Sequence, residues 1–370
     1  MMLAARGAIR ASGAGLPYDA EVEYLESSGT QYINTGVKVY DNTNVEITVK
    51  VNTQNEVAFI GSATSTDRFV IRSNSGSLSY GFGNWWTNTA ATLYNQWCTL
   101  RTDVSVPTVY CDGTSYPTTN TPIAKSGTDS ILIFDSFRAN RGDVAVASVK
   151  IWRGSTLVFD AIPVRKKTVG YLYDRVSGKL FGNEGTGDFV VGPDVVPVEW
   201  LEGTGTQYID TGIGYYADFE IKVKMRTSLS NITLYSGGYN RLERISAALP
   251  YWRFRSNQGG SYDSTISITE LHTLAWRNGK IYSDGAEVYQ VSKPYQNNEM
   301  YAFGDSVSAF PCVIYYLDLW DSNDTPVRKF RPVRVGTEGA MMDVLTRRIY
   351  RNAGTGAFTY GNDLKYPIPA

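Results

Sequence analysis

Histidine is almost missing from this chain: His272 is the only one in 370 residues. That scarcity excludes a histidine-rich zinc site, and it excludes a Ser-His-Asp triad repeated in two halves of the molecule. His272 itself reads as an ordinary strand residue. Cysteine is scarce too. Cys98, Cys111 and Cys312 form neither a disulfide framework nor a metal-ligand spacing. If "WCTLRTDVSVPTVYCDG" is a hairpin centred between Val104 and Ser105, Cys98 and Cys111 face each other; the reading preferred here is two small buried hydrophobes, with pairing left open. A net charge of −1 removes the basic face that nucleic acid requires. No segment approaches the roughly 20 apolar residues of a membrane span, and no run of apolar residues keeps helical spacing. The opening "MMLAARGAIRASGAGLPYDA" carries Arg6 and Arg10 but no apolar stretch of signal-peptide length, so the expectation is a soluble chain made without a Sec signal.

What is abundant is glycine, 35 residues, and tyrosine, 26, a pairing that suits short strands joined by tight turns. The chain also repeats itself. "VEYLESSGTQYINTG" at 22–36 returns as "VEWLEGTGTQYIDTG" at 198–212, with 11 of 15 positions identical. "NVEITVKVNT" and "DFEIKVKMRT" alternate apolar Val45, Ile47, Val49 and Val51, or Phe219, Ile221, Val223 and Met225, with polar residues. This is the period of strands with one buried face. "VYCDG" matches "IYSDG", "VKIW" matches "LDLW", and "IPVR" matches "RPVR". Asn278-Gly279 adds the strongest short hairpin signal. Finally "YDRVSGKLFGNEGTGDFVVGPD" (173–194) aligns without gaps to "MDVLTRRIYRNAGTGAFTYGND" (342–363). The order is kept throughout, which defines a tandem duplication. The expected division is a segment 1–20, a first unit 21–195 and a second unit 196–370. Short alternating strands broken by Gly, Asn, Asp and Ser predict an antiparallel sandwich or jelly roll. The join "VGPDVVP" is too short for a flexible tether, so the units are expected to touch.

The opening "EYLESSGTQYINTG" and the closing "PVRKKTVGYLYDRVSGKLFGNEGTGDFVVGPD" resemble laminin-G-like, concanavalin A-like jelly-roll modules of gut bacteria and their phages and prophages. The resemblance spans about 22–364 and is specific at the ends of each unit. It implies an all-β chain of two tandem concanavalin A-like (laminin-G-like) antiparallel β-sandwich jelly rolls, whose relatives bind sugars or proteins, build extracellular machines or hydrolyse glycosides. In the second unit "GYLYDRVSGKLF" has become "GAMMDVLTRRIY", which keeps the strand but weakens any shared surface role of Tyr171, Tyr173 and Lys179. Within the signature, Tyr32 and Ile33 are expected in the core, and Gly29 and Gly36 in turns.

Chemistry is harder to find. A glycosidase needs two carboxylates facing one another across the sugar, and no Glu-x-Asp-x-Glu pattern supplies them. Asp318 and Asp321 in "DLWDSND" read as strand-end and turn acids. "GNEGTG" and "RNAGTG" precede a strand rather than a helix and read as turns, not phosphate cradles. The acids are not clustered enough to assign a calcium site, so no cofactor is expected and structural calcium stays unassigned. "RGD" at 141–143 reads as a turn before a strand. The candidate ligand site is "YGFGNWWTNTA": neighbouring Trp85 and Trp86 cannot both enter the core of a strand. With Tyr80 and Asn84, the outward ring would suit a sugar through stacking and amide hydrogen bonds. "PYWRFRSNQGGSY", with Tyr251, Trp252 and Arg253, is a more cationic echo.

The leading expectation is a non-enzymatic phage or prophage virion-associated structural or binding protein of fibre, decoration or adhesin type. It would bind a glycan or cell-surface receptor, be made in the host cytoplasm, and attach to other virion or surface proteins through residues 1–20. A bacterial cell-surface lectin-like adhesin is the alternative, and a glycoside hydrolase ranks last. Neither nucleic acid nor membrane is an expected partner, and homo-oligomerisation is left open.

Overall fold

Alternation puts Val45, Ile47, Val49 and Val51 on one face of the strand Thr43–Val51, and all four are fully buried. Phe219, Ile221 and Val223 repeat this in Asp218–Met225. The computed structural model describes residues 15–64, 68–83, 86–117, 127–139, 141–213, 218–225, 232–237, 240–246, 249–256, 260–290, 300–304, 311–321 and 323–368. Among these there are antiparallel strands and no helix.

In the first half one sheet runs Thr114–Pro117, Thr108–Cys111, Trp97–Asp103, Thr43–Val51, Asp143–Arg153, Thr156–Lys166, Val169–Asp174, Lys179–Phe181. The second sheet runs Ile33–Lys38, Ser130–Ile133, Val57–Ser62, Phe69–Asn74, Ser77–Phe82, Trp86–Thr92. Val45 and Ile47 from the first meet Phe59, Phe69 and Ile71 from the second in one core, so the pair is a β-sandwich. The second half repeats the order: Ala286–Gln290, Lys280–Ser283, His272–Arg277, Asp218–Met225, Pro311–Trp320, Pro326–Val335, Glu338–Asp343, Ile349–Tyr350. Its other sheet is Ile209–Asp210, Tyr301–Ala302, Ile232–Gly237, Asn240–Ser246, Leu249–Ser256, Gly260–Ser267. Among the described residues no ladder joins strands before Val191 to strands after Val195.

Asp112-Gly113, Asn278-Gly279 and Asp284-Gly285 each close a two-residue hairpin with positive φ at both positions, the type I′ geometry that their sequences favour. The hairpin after Trp97 pairs Asp103 with Thr108. Its centre therefore lies between Ser105 and Val106, one residue beyond the expected position, and Cys98 and Cys111 become diagonal neighbours instead of a facing pair.

Why the opening signature recurs is visible in its partners. Gln31 donates its amide to the Asp188 carbonyl at 2.9 Å, and the Thr30 hydroxyl donates to the Thr186 carbonyl at 2.8 Å. Gln207 and Thr206 do the same to Ala357 and Thr355, at 3.0 and 2.8 Å. A Cβ on Gly185 would lie 2.0 Å from the Thr30 carbonyl oxygen, and one on Gly354 2.1 Å from that of Thr206. "GTQY" and "N-x-G-T-G" are thus two halves of one latch that closes each sandwich, and glycine is required where backbone meets backbone. Ile33 is in the core as expected; Tyr32 is not. It is half-buried beneath the Arg141 guanidinium, 4.3 Å from the ring centre, while Arg141 also pairs with buried Asp135 at 2.8 Å. The arginine of "RGD" is therefore held by its own sandwich. Tyr171 and Tyr173 are covered by Tyr18, whose ring lies 5.0 Å from that of Tyr173. Asp318 lies inside the strand Pro311–Trp320 rather than at its end, and pairs with Arg331.

The halves touch through the turn after Asp343. The Thr346 carbonyl accepts the hydroxyls of Thr48 at 2.9 Å and Ser148 at 2.8 Å, from adjacent strands of the first large sheet. Arg347 reaches Glu21 at 2.7 Å with side chains only 5% and 1% exposed. Arg351 forks onto Glu23 at 2.8 and 2.7 Å. The Arg351 guanidinium is held charged by that contact.

Candidate functional site

Two of the expected ligand residues are core. Tyr80 is 1% exposed and stands against Phe69 and Phe82, and Trp252 is fully buried. A ring that carries the core cannot stack on a sugar from solvent, so, contrary to the expectation from sequence, neither is a ligand contact. The cause is parity: Tyr80 shares the inward face of its strand with Leu78 and Phe82, and Trp252 shares its own with Phe254. Tyr251 and Arg253 face the other way and are half-buried, and Arg253 forks onto Asp263. Asn84 and Trp85 lie outside the described residues; of Trp86 only the backbone is described, paired with Gly81.

A different cleft is present on the outer face of the first large sheet. Cross-strand partners form one row over four strands: Trp97 opposite Lys50, Lys50 opposite Ala145, Ala145 opposite Glu26. Partners directly across an antiparallel ladder share a face. Small Ala145 leaves a depression, with Trp97 on one side and Glu26 on the other. Tyr24 enters beside them, its ring 6.0 Å from that of Trp97 and tilted by 47°. Glycine at 192 makes room, because a Cβ there would lie 2.9 Å from the Tyr24 nitrogen and 3.0 Å from its ring. Asn52 continues the polar floor and donates its amide to Asp143 at 3.0 Å. Glu23, Pro193 and, from the second half, Arg351 complete a cavity of about 310 Å³.

The electrostatics are mixed in sign. Partial burial, then the neighbouring Asp143 carboxylate, raises the pKa of Glu26, while Lys50 opposes the shift. Asp143 stands diagonally from Glu26 on the neighbouring strand, opposite Ser28. Burial, then Glu26 and Glu23, raises the Tyr24 phenol. The cleft therefore offers two aromatic faces, a carboxyl that keeps its proton longer than usual, an amide and an ammonium group.

The sequence carried part of this. In "WCTLRT", Cys98, Leu100 and Thr102 point inward, so Trp97 must point outward; in "EYLES", inward Leu25 sends Tyr24 and Glu26 outward. What joins residues 24, 26, 50, 97 and 351 is strand order, which parity does not give.

No protein-family model matches the chain, and no curated protein matches it. Solved structures do. Domains LG4-5 of the mouse laminin alpha1 chain are 14% identical, over 99% of this chain and 100% of that one, with a TM-score of 0.31. The LG1-3 region of the laminin alpha2 chain is 12% identical, over 91% of this chain and 68% of that one, with a TM-score of 0.31. The ligand-binding domain of botulinum neurotoxin serotype D, in complex with N-acetylneuraminic acid, is 10% identical over 94% and 88%, with a TM-score of 0.25. At these scores the functional reading rests on this chain's own side chains.

Proposed function

We propose that the protein binds an oligosaccharide in the cleft beside the packed Tyr24–Trp97 ring pair, without turning it over. The observation that carries this is the row Trp97–Lys50–Ala145–Glu26 with Tyr24 packed against Trp97: one aromatic platform borders a floor that can both donate and accept hydrogen bonds. Sugar rings present an apolar C–H face and a hydroxyl rim, and this arrangement meets both. Binding is favoured over hydrolysis because the carboxylate that acts most on Glu26 is Asp143, which stands diagonally from it on the adjacent strand of the same sheet and not across the cleft. A retaining glycosidase holds its carboxyls about 5 Å apart and an inverting one further still, to admit the sugar or a water. The setting we propose is the surface of a virion, with the stretch before Tyr18 as the attachment segment, because Tyr18 and Ala20 are part of the first sandwich and shorten the expected segment 1–20; absence of the protein from purified particles would remove that setting.

The test is a glycan screen with the full chain, followed by calorimetry on the best ligand. Trp97→Ala should lose about tenfold in affinity, since one stacking face contributes about 1–1.5 kcal/mol. Unchanged binding in both Trp97→Ala and Tyr24→Ala would show that the ligand sits elsewhere. Release of reducing sugar that Glu26→Gln abolishes would replace binding by catalysis.

A further inference from the structure

The spacing of the cysteines shows no metal site, yet the fold brings two of them together with a carboxylate. Cys98 lies in the strand Trp97–Asp103 and Cys111 ends the neighbouring strand Thr108–Cys111. Cys111 is opposite Leu100, so Cys98 is its diagonal neighbour on the same face. Asp112 begins the type I′ turn with φ +46°. Its Oδ1 accepts the Thr99 amide hydrogen at 2.9 Å, which folds the carboxylate back over the strand end. The two thiol sulfurs and an Asp112 oxygen all lie within 4.8 Å of one another.

The geometry points to a binding site for one zinc-like divalent cation on Cys98, Cys111 and Asp112, with a fourth position open to solvent. Two thiolates on a tetrahedral ion with Zn–S near 2.3 Å sit about 3.8 Å apart and a carboxylate oxygen about 3.5 Å from each, so an inward closing of about 1.3 Å at most completes the site. The donor set selects a borderline or soft ion, and two sulfurs exclude calcium or magnesium as the preferred occupant. Charge is also provided for. Two thiolates and a carboxylate leave a divalent site at −1, and the Arg348 guanidinium lies 3.4 Å from both Asp112 oxygens. Arg348 comes from the second half, so the ion would sit beside the contact between the halves. A disulfide is the poorer use of the pair: diagonal neighbours lie about 7–8 Å apart at Cα, beyond the usual reach of an S–S bond. At the equivalent positions of the second half stand His272, Ser283 and Asp284, where His272 Nδ1 is hydrogen-bonded to Asp284 at 2.7 Å and no thiolate is present.

Titration of the reduced full chain with cadmium and with zinc tests the assignment. One equivalent of cadmium should produce a thiolate-to-metal absorption band, and zinc, added to the metal-free chain, should raise the melting temperature. Cys98→Ser and Cys111→Ser should each weaken binding at least tenfold, and Arg348→Gln, which removes an outer-shell charge, about tenfold. Cys312→Ser should bind as wild type, because Cys312 is buried in the second core. Bound metal should also protect Cys98 and Cys111 of the unaltered chain from alkylation, a readout that needs no variant. Absence of the band at stoichiometric cadmium, its survival in the double variant Cys98→Ser/Cys111→Ser, or undiminished alkylation would each overturn the site.

Discussion

Residues 173–194 and 342–363 make the same turn and do opposite jobs. Asp174 and Asp343 each accept backbone N–H groups of their own turn, and Gly178 and Arg347 each donate an N–H back to the aspartate carbonyl, at 2.8 and 2.7 Å. In the first half the turn is exposed; in the second it is pressed against the first half. The substitutions follow that difference. Gly178, Lys179 and Gly182 of the first copy correspond to Arg347, Arg348 and Arg351 of the second, and these three arginines reach Glu21, Asp112 and Glu23. Position 347 is the telling one. Gly178 has φ +71° and Arg347 φ +65°, a conformation that costs a side-chain-bearing residue about 1–2 kcal/mol. An arginine held there against its backbone preference indicates that its side chain is needed, and its partner is the buried Glu21. The duplication supplied the turn, and divergence converted one copy into an interface.

Arg347→Ala should break this comparison most severely. It leaves Glu21 buried without a counter-charge, a change expected to cost about 3–5 kcal/mol in urea unfolding. Arg347→Gly, which restores the first copy's residue, should recover about 1 kcal/mol of that by relieving the backbone. Equal stability of the alanine and glycine variants would show that the backbone at 347 is unstrained. Arg351→Ala should cost less, about 1 kcal/mol, because the Arg351 side chain is 37% exposed although it forks onto Glu23. It also opens one wall of the cleft, so ligand affinity should fall with stability, whereas Arg347→Ala acts on stability alone.

The smallest effect is a pH dependence. Folding raises the pKa of Glu26, so the folded state binds more protons than the unfolded one between the two values, and stability falls as pH rises through that window. Glu26→Gln should therefore be slightly stabilising at neutral pH, with the gain vanishing below the ordinary carboxylate range. A gain that persists in acid would assign the effect to something other than titration.

Much of the fold was legible because its signals are local. Alternation in "NVEITVKVNT" named the buried face, and Asn278-Gly279 and the two Asp-Gly pairs named the hairpins. The candidate site was less so. Trp85 and Trp86 stand out in the sequence as adjacent rings, whereas Trp97 is a single ring beside an inward cysteine. Tyr80 and Trp252 have polar and aromatic neighbours in the chain that suit a ligand site, but their strand faces place them in the core. The sequence spacing of the thiol pair shows no metal site, and a one-residue shift of the hairpin centre sets the sulfurs diagonally beside Asp112.

The sequence by itself determined that this protein is two copies of one antiparallel sandwich. Side-chain periodicity, turn residues and a repeated latch are short-range properties that survive without knowledge of the whole. Only the tertiary structure decided which outward residues meet. Trp97, Lys50, Ala145 and Glu26 come from four strands whose lateral order is not written in any one of them, and Arg347 finds Glu21 across 326 positions of chain. Strand order and the docking of the halves are set by the summed burial of both cores and by a few compensated charges, and those are properties of the folded whole.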